Sequence, residues 1–305
     1  MAEVIIQNIV KTYEKGSVMA LNDVSFSVKS GEIFGLIGAD GAGKTTLFRI
    51  LTTLLIPNRG SATVAEYDVV KNYKEIRKIV GYMPGKFSLY QDLSIMENLN
   101  FFATVFGTTV QKNYHLIKEI YEQIEPFNDR LAGKLSGGMK QKLALCCALI
   151  HEPRVLFLDE PTTGVDPVSR KEFWDMLGRL KQKGITILVS TPYMDEAKLC
   201  DTIGLIQNGK MLDVDTLEGI LKKNNDMLYS VSGKNMFHLL QDLRSYPHTL
   251  SCLAFGQELH LKLNEANRDL KDVQNFLANK GHSSTVIREI NPGIEDTFIK
   301  LMQDG

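Results

Sequence analysis

"GADGAGKTT", residues 38–46, holds the decisive feature of this chain. It follows the short apolar run Ile33–Ile37 and precedes Leu47, Ile50, Leu51 and Leu54, which are spaced for one side of a helix. Gly38, Gly41 and Gly43 permit a tight backbone curl that points several N–H groups inward, and Ala39, Asp40, Ala42 and Thr46 complete the loop. Lys44 adds a cation, Thr45 a hydroxyl, and the helix start a positive dipole end. All of these features favour a bound anion with several oxygens.

A strand, then G-x-x-x-x-G-K-T, then a helix is the context of a P-loop. Lys44 is then the candidate catalytic cation for the β- and γ-phosphates of ATP, and Thr45 a candidate ligand to Mg²⁺. A second stretch, "RVLFLDEP" at 154–161, is an apolar strand ending in two acids. Asp159 is the other candidate Mg²⁺ ligand, and Glu160 the group to polarise an attacking water. A third, "LSGGMKQK" at 135–142, offers Ser136 as a helix cap and Gly137 and Gly138 as open backbone donors. Alone, the second and third stretches are ordinary helix caps; their combination with the first gives them meaning.

Strands alternate with helices over residues 33–190, which argues for an α/β fold with a mainly parallel sheet covered on both faces. Before it, "VIIQNIVKTY" and "ALNDVSFSV" read as strands of an antiparallel N-terminal β region, and "TIGLIQNGKMLDV" as a hairpin closed at Asn208–Gly209. Helices are expected after the Ser94 cap, over 112–125 and over 136–151, and in "VSRKEFWDMLGRLKQKG" with glycine past its end. In "VSTPYMDEA", 189–197, a strand runs into a helix with Pro192 in its first turn. Beyond residue 216 the order becomes β-α-β-β-α-β, the ferredoxin-like succession. The expected domains are 1–215, with a helical subdomain at about 86–150, and a small α+β domain at 216–305.

The 305 residues carry 35 basic and 36 acidic side chains, a net charge of −1, so no nucleic-acid partner is expected. The longest apolar run, "LALCCALI" at 143–150, falls well short of the roughly 20 residues that span a bilayer, so any membrane role is expected through a partner chain. An early acid and no long apolar segment near the N-terminus argue against a secretory signal. Cys146, Cys147, Cys200 and Cys252 show no metal-type spacing and read as reduced thiols of a cytoplasmic protein.

Taken together, the three stretches resemble the ATP-binding cassette (ABC) ATPases, the motor subunits of ABC transporters, over residues 3–215. "GADGAGKTT" looks like the Walker A loop, "LSGGMKQK" like the signature motif, and "FLDEP" like the Walker B strand with its catalytic Glu160. "GVDP", 164–167, is similar to the D-loop, with Asp166 near a dimer seam, and Tyr13 to the aromatic that stacks on adenine. The resemblance implies a P-loop NTPase fold and a head-to-tail dimer, homo- or hetero-, with a second ATP-binding subunit. It also implies bound ATP and Mg²⁺, polytopic membrane permease partners and a place at the cytoplasmic face of the membrane. The tail ending "NPGIEDTFIKLM" and the string "STPYMDEA" look closest to multidrug-efflux exporters with separate permease chains. Two other readings stand beside it: a regulatory ATP-binding subunit with little hydrolysis, and a soluble ABC ATPase acting outside transport.

The chain departs from the family pattern twice. Gly85 stands where the family usually has glutamine after "VGYM", and Pro192 where it has histidine after "LVST". Both lost groups sense the γ-phosphate in this family. Hydrolysis at this chain's own Walker A is therefore weakened, or else Lys86 or water fills in and the chain is an ordinary ATPase. Between Lys86 and Gly107, the residues Phe87, Leu89, Tyr90, Phe101, Phe102 and Phe106 suit a groove for a partner helix, with simple packing the expectation for Phe101 and Phe106.

Overall fold

The computed structural model describes residues 1–264, 269–282 and 284–304. They divide into two compact units, Met1–Glu218 and Gly219–Asp304.

In the first unit, β1 (Ala2–Tyr13), β2 (Val18–Lys29) and β3 (Ile33–Ile37) precede α1 (Lys44–Leu51). Then come β4 (Arg59–Val64), β5 (Tyr67–Asp68), α2 (Tyr73–Ile79) and β6 (Val80–Met83). A helical stretch follows, with α3 (Ile95–Val105), α4 (Val110–Tyr121) and α5 (Gly137–Leu149). The chain returns through β7 (Val155–Asp159), α6 (Pro167–Gln182), β8 (Thr186–Thr191), β9 (Thr202–Gln207) and β10 (Lys210–Asp215). One sheet, ordered β2-β1-β4-β5, is antiparallel. The other, ordered β10-β9-β3-β8-β7-β6, is parallel except for the β9–β10 hairpin. Asn208 and Gly209 both take positive φ, as a type I′ turn requires.

Register places the chemistry. Ile37 pairs with Thr191, and Asp159 with Ser190, so β3, β7 and β8 deliver their carboxyl ends to one rim. The strands are buried on both faces. Phe34, Phe48, Phe157 and Leu188 pack on one side, and Leu156, Leu158, Phe173 and Leu177 on the other. Phe48 meets Phe157 edge-on with ring centroids 5.6 Å apart, which seats α1 against β7.

The second unit holds β11 (Leu228–Ser232), α8 (Met236–Ser245), β12 (Thr249–Phe255) and β13 (Glu258–Leu263), after α7 (Leu217–Lys222) at the junction. It continues with α9 (Leu270–Asn279), β14 (Val286–Ile290) and α10 (Ile294–Asp304). The sheet order β12-β13-β11-β14, antiparallel throughout, is that of a ferredoxin-like unit. Val231, Leu259 and Leu261 of the sheet pack against Leu239, Leu243, Val273 and Leu277 of α8 and α9. Arg268, read as part of α9, and Gly305 lie outside the described residues.

Four local expectations are corrected. Helix α1 stops at Leu51, because Thr53 turns to φ 63° and the Leu54 and Leu55 amides bond back to Arg49, so Leu54 is exposed. Helix α4 stops at Tyr121 rather than 125: the Gln123 and Ile124 amides tighten onto the Ile120 and Tyr121 carbonyls, and a separate 3-10 turn, Glu125–Phe127, follows. Pro192 sits outside its helix: the Tyr193 amide donates to Thr191 Oγ1 at 3.0 Å, and only a 3-10 helix, Met194–Leu199, follows. Finally, Phe101 and Phe106 pack on one face only: Phe101 lies edge-on to Tyr90 and Phe102, and Phe106 stacks on His151, yet they stay 40% and 36% exposed.

Candidate functional site

The loop between β3 and α1 admits no side chain at two of its glycines. A Cβ on Gly38 would stand 2.1 Å from the Ile206 carbonyl oxygen. At Gly43, whose φ is +109°, it would stand 2.5 Å from that of Ala20. The curl exposes Asp40 and Gly41 and buries Lys44, whose side chain is 2% exposed. Its ammonium donates to the carbonyls of Gly38 and Ala39 at 2.8 and 3.0 Å and pairs with Glu160 Oε1 at 3.1 Å. A buried charge needs such partners.

Asp159, at the end of β7, accepts from Thr45 Oγ1 at 3.1 Å and from Ser190 Oγ at 2.6 Å. Ser190 also holds the next residue: the Glu160 amide donates to its Oγ at 3.0 Å and its carbonyl at 3.1 Å. These bonds support a left-handed Glu160, φ 51°, a conformation that costs a non-glycine residue about 1–2 kcal/mol. Thr45 and Asp159 supply two hard oxygens side by side, which fits a Mg²⁺ that takes one or two protein ligands and completes its shell with phosphate and water. Among the described residues there is no cluster of three or more His, Cys, Asp or Glu, and such a shared site needs none. Burial, with the Asp159 charge behind it, pushes the Tyr82 phenol up to about 12, keeping it neutral beside the carboxylate.

Of the remaining candidates, Tyr13 and Gly85 adjoin this rim and Gly137 borders a cavity with Glu160, whereas Ser136 and Asp166 are seen as helix caps. Tyr13 ends β1 half-buried, with its hydroxyl 3.3 Å from Thr46 Oγ1. Ser136 caps α5 through the Met139 amide at 3.3 Å, and Gly137 has open space beside it. Asp166 caps α6, accepting from Val168 and Ser169, and these bonds hold its carboxyl below the usual carboxylate range. Gly85 lies against the acids: a Cβ there would be 3.0 Å from the Asp159 carbonyl oxygen and 3.8 Å from Glu160 Cβ. Lys86 is exposed, whereas the cation on Glu160 is Lys44. The sequence reading missed Ser190, although it stands inside "VSTPYMDEA". It also missed Gln141, whose side-chain amide donates to the Pro161 carbonyl.

Beside β6 runs a groove of about 430 Å³ lined by Leu54, Arg77, Tyr82, Phe102, Phe106 and His151 among others. Phe106 stacks on His151 with centroids 3.8 Å apart, and His151 bonds the Val80 carbonyl at 3.1 Å. Burial lowers the His151 pKa, so the ring is neutral in the groove wall.

A parallel sheet whose carboxyl rim carries this loop, Asp159 and Glu160 defines an α/β P-loop nucleotide-binding cassette. The family described as ABC transporter matches residues 21–163. The probable multidrug ABC transporter ATP-binding protein YbhF of Escherichia coli K12 is 40% identical over 289 residues, covering 93% of this chain. The chain spans 49% of that relative, about half its length. The Nod factor export ATP-binding protein I of Rhizobium sp. N33 is 33% identical over 94% of this chain and 93% of its own length. A solved ATP-binding subunit of an ABC transporter superposes with a TM-score of 0.66 at 28% identity, covering 72% of this chain and 92% of that one. The chain belongs to the ATP-binding subunits of the ABC transporter family.

Proposed function

We propose that the chain is an ATP-binding and ATP-hydrolysing motor subunit. It pairs with a second ATP-binding subunit and powers export through separate polytopic permease chains at the cytoplasmic face of the membrane. The observation that carries this reading is the convergence of Lys44, Thr45, Asp159 and Glu160 at one rim, tied together by bonds of 3.1 Å. The export assignment draws support from relatives named for multidrug transport and Nod factor export. Among the described residues no helix is long and apolar enough to cross a membrane.

In this reading Tyr13 stacks on adenine, and the backbone of Gly38, Ala39, Asp40, Gly41, Ala42, Gly43, Lys44, Thr45 and Thr46 cradles the phosphates. Lys44 turns its charge to the β- and γ-phosphates. Mg²⁺, held by Thr45 and Asp159, neutralises phosphate charge when bound. Glu160 polarises the attacking water. Ser136, Gly137 and Gly138 of one subunit complete the γ-phosphate shell of the other on closure, with Asp166 at the seam. The groove beside β6 receives a permease helix. Gly85 and Pro192 leave this chain's own γ-phosphate with fewer polar contacts, so it binds ATP well and turns over slowly. The same two residues favour, as a second reading, a regulatory subunit with little hydrolysis. Phosphate release by the purified chain, with Glu160→Gln as control, and co-purification with a polytopic membrane protein test the proposal. Glu160-independent release, or capture by ribosomes or DNA instead of a permease, contradicts it.

A further inference from the structure

Glu160–Val165 is a run of turns. The Thr163 amide donates to the Glu160 carbonyl at 3.2 Å, and the Val165 amide to that of Thr162 at 3.2 Å. Such a run has little stiffness of its own, yet it begins at a left-handed Glu160 whose carboxylate must be held in place. On the β8 side Ser190 holds the Glu160 amide. On the other side the next residue is Pro161, which has no N–H, and its carbonyl accepts from the side chain of Gln141.

Gln141 lies just over one turn into α5, the helix that begins at Ser136 and Gly137. Lys142, its neighbour, binds Glu172 of α6 at 2.9 Å, so α5 is fastened beside the contact. A cavity of about 160 Å³ lies between α5 and Glu160, bordered by Gly85, Lys140, Gln141, Glu160 and Thr163. The loop carrying Gly85 borders that space with Pro84, Phe87 and Ser88, and the amide that reaches the Pro161 carbonyl from the helical side is that of Gln141.

We propose that Gln141 is a positioning residue for Glu160. Its amide grips the Pro161 carbonyl, fixes the backbone that aims the carboxylate, and passes displacement of the Ser136–Gly138 end of α5 to Glu160. This rests on the reading of Glu160 as the group that polarises water. The grip needs a donor at that length, which a glutamate or methionine side chain lacks.

The test compares the full chain with Gln141→Met, which keeps the length and apolar packing, and with Gln141→Glu. Amide hydrogen exchange is followed at Thr163 and Val165, with steady-state phosphate release beside it. Both variants should exchange about tenfold faster at these amides, the factor set by one lost hydrogen bond of ordinary strength. Both should lose about tenfold in kcat with KM for ATP nearly unchanged, the mark of an interaction made in the transition state. Unchanged exchange in Gln141→Met overturns the proposal, as does a kcat equal to that of the parent chain. If the parent shows no Glu160-dependent turnover, the catalytic reading of Glu160 fails by itself, while exchange still decides whether Gln141 holds the segment.

Discussion

The two sides of the phosphate rim are built differently. On one side Lys44, Thr45, Asp159, Glu160 and Ser190 form a closed set of polar contacts between 2.6 and 3.1 Å. On the other, Gly85 and Pro192 contribute no polar side chain at all. In the proposed function the first side grips phosphate and prepares a water, and the second is where a developing charge on the γ-phosphate finds fewer partners. On that reading, losing contacts made only in the transition state weakens hydrolysis and keeps binding.

The largest expected effect breaks the intact side. Glu160→Gln removes the base and should lower turnover by about 10²–10⁴ while leaving ATP binding in place, read by phosphate release beside nucleotide binding. Next, Pro192→His returns a preorganised contact to the sparse side and should raise kcat by up to about 10². Gly85→Gln should raise it less, under about tenfold, because the new Cβ starts 3.0 Å from the Asp159 carbonyl oxygen and the loop must shift. The smallest effect on turnover is a control away from the rim. Asn98 is fully buried, and its side chain bonds the backbone of Tyr90, Leu93 and Ser94. Asn98→Ala should cost about 1–3 kcal/mol in denaturant unfolding yet leave kcat per folded molecule unchanged.

The same contrast explains what the sequence disclosed. The intact side was legible because its demands are local. Gly38 and Gly43 answer a backbone that no side chain tolerates, and Lys44 and Thr45 follow in fixed positions on α1. The parallel sheet was legible too, since apolar runs such as Val155–Asp159 admit burial on both faces. Ser190 is silent in the sequence, since its role appears only once β8 is registered against β7 beside Asp159. Gln141 gave no signal, because its partner Pro161 lies 20 positions away and nothing in spacing joins them. Pro192 misled for a local reason: its fixed φ suits a helix start, but the Thr191 hydroxyl captures the Tyr193 amide first. Its consequence, the missing polar group, was nevertheless plain from the residue type.

The proposed function couples a complete ATP-gripping side to a depleted γ-phosphate side. It is tested most directly by the steady-state kcat of the purified chain beside the combined Gly85→Gln, Pro192→His variant, each with and without Glu160→Gln. Slow, Glu160-dependent turnover is expected in the parent, with a clear rise in the combined variant that Glu160→Gln abolishes. Fast Glu160-dependent turnover in the parent, unchanged by restoring the two residues, contradicts it.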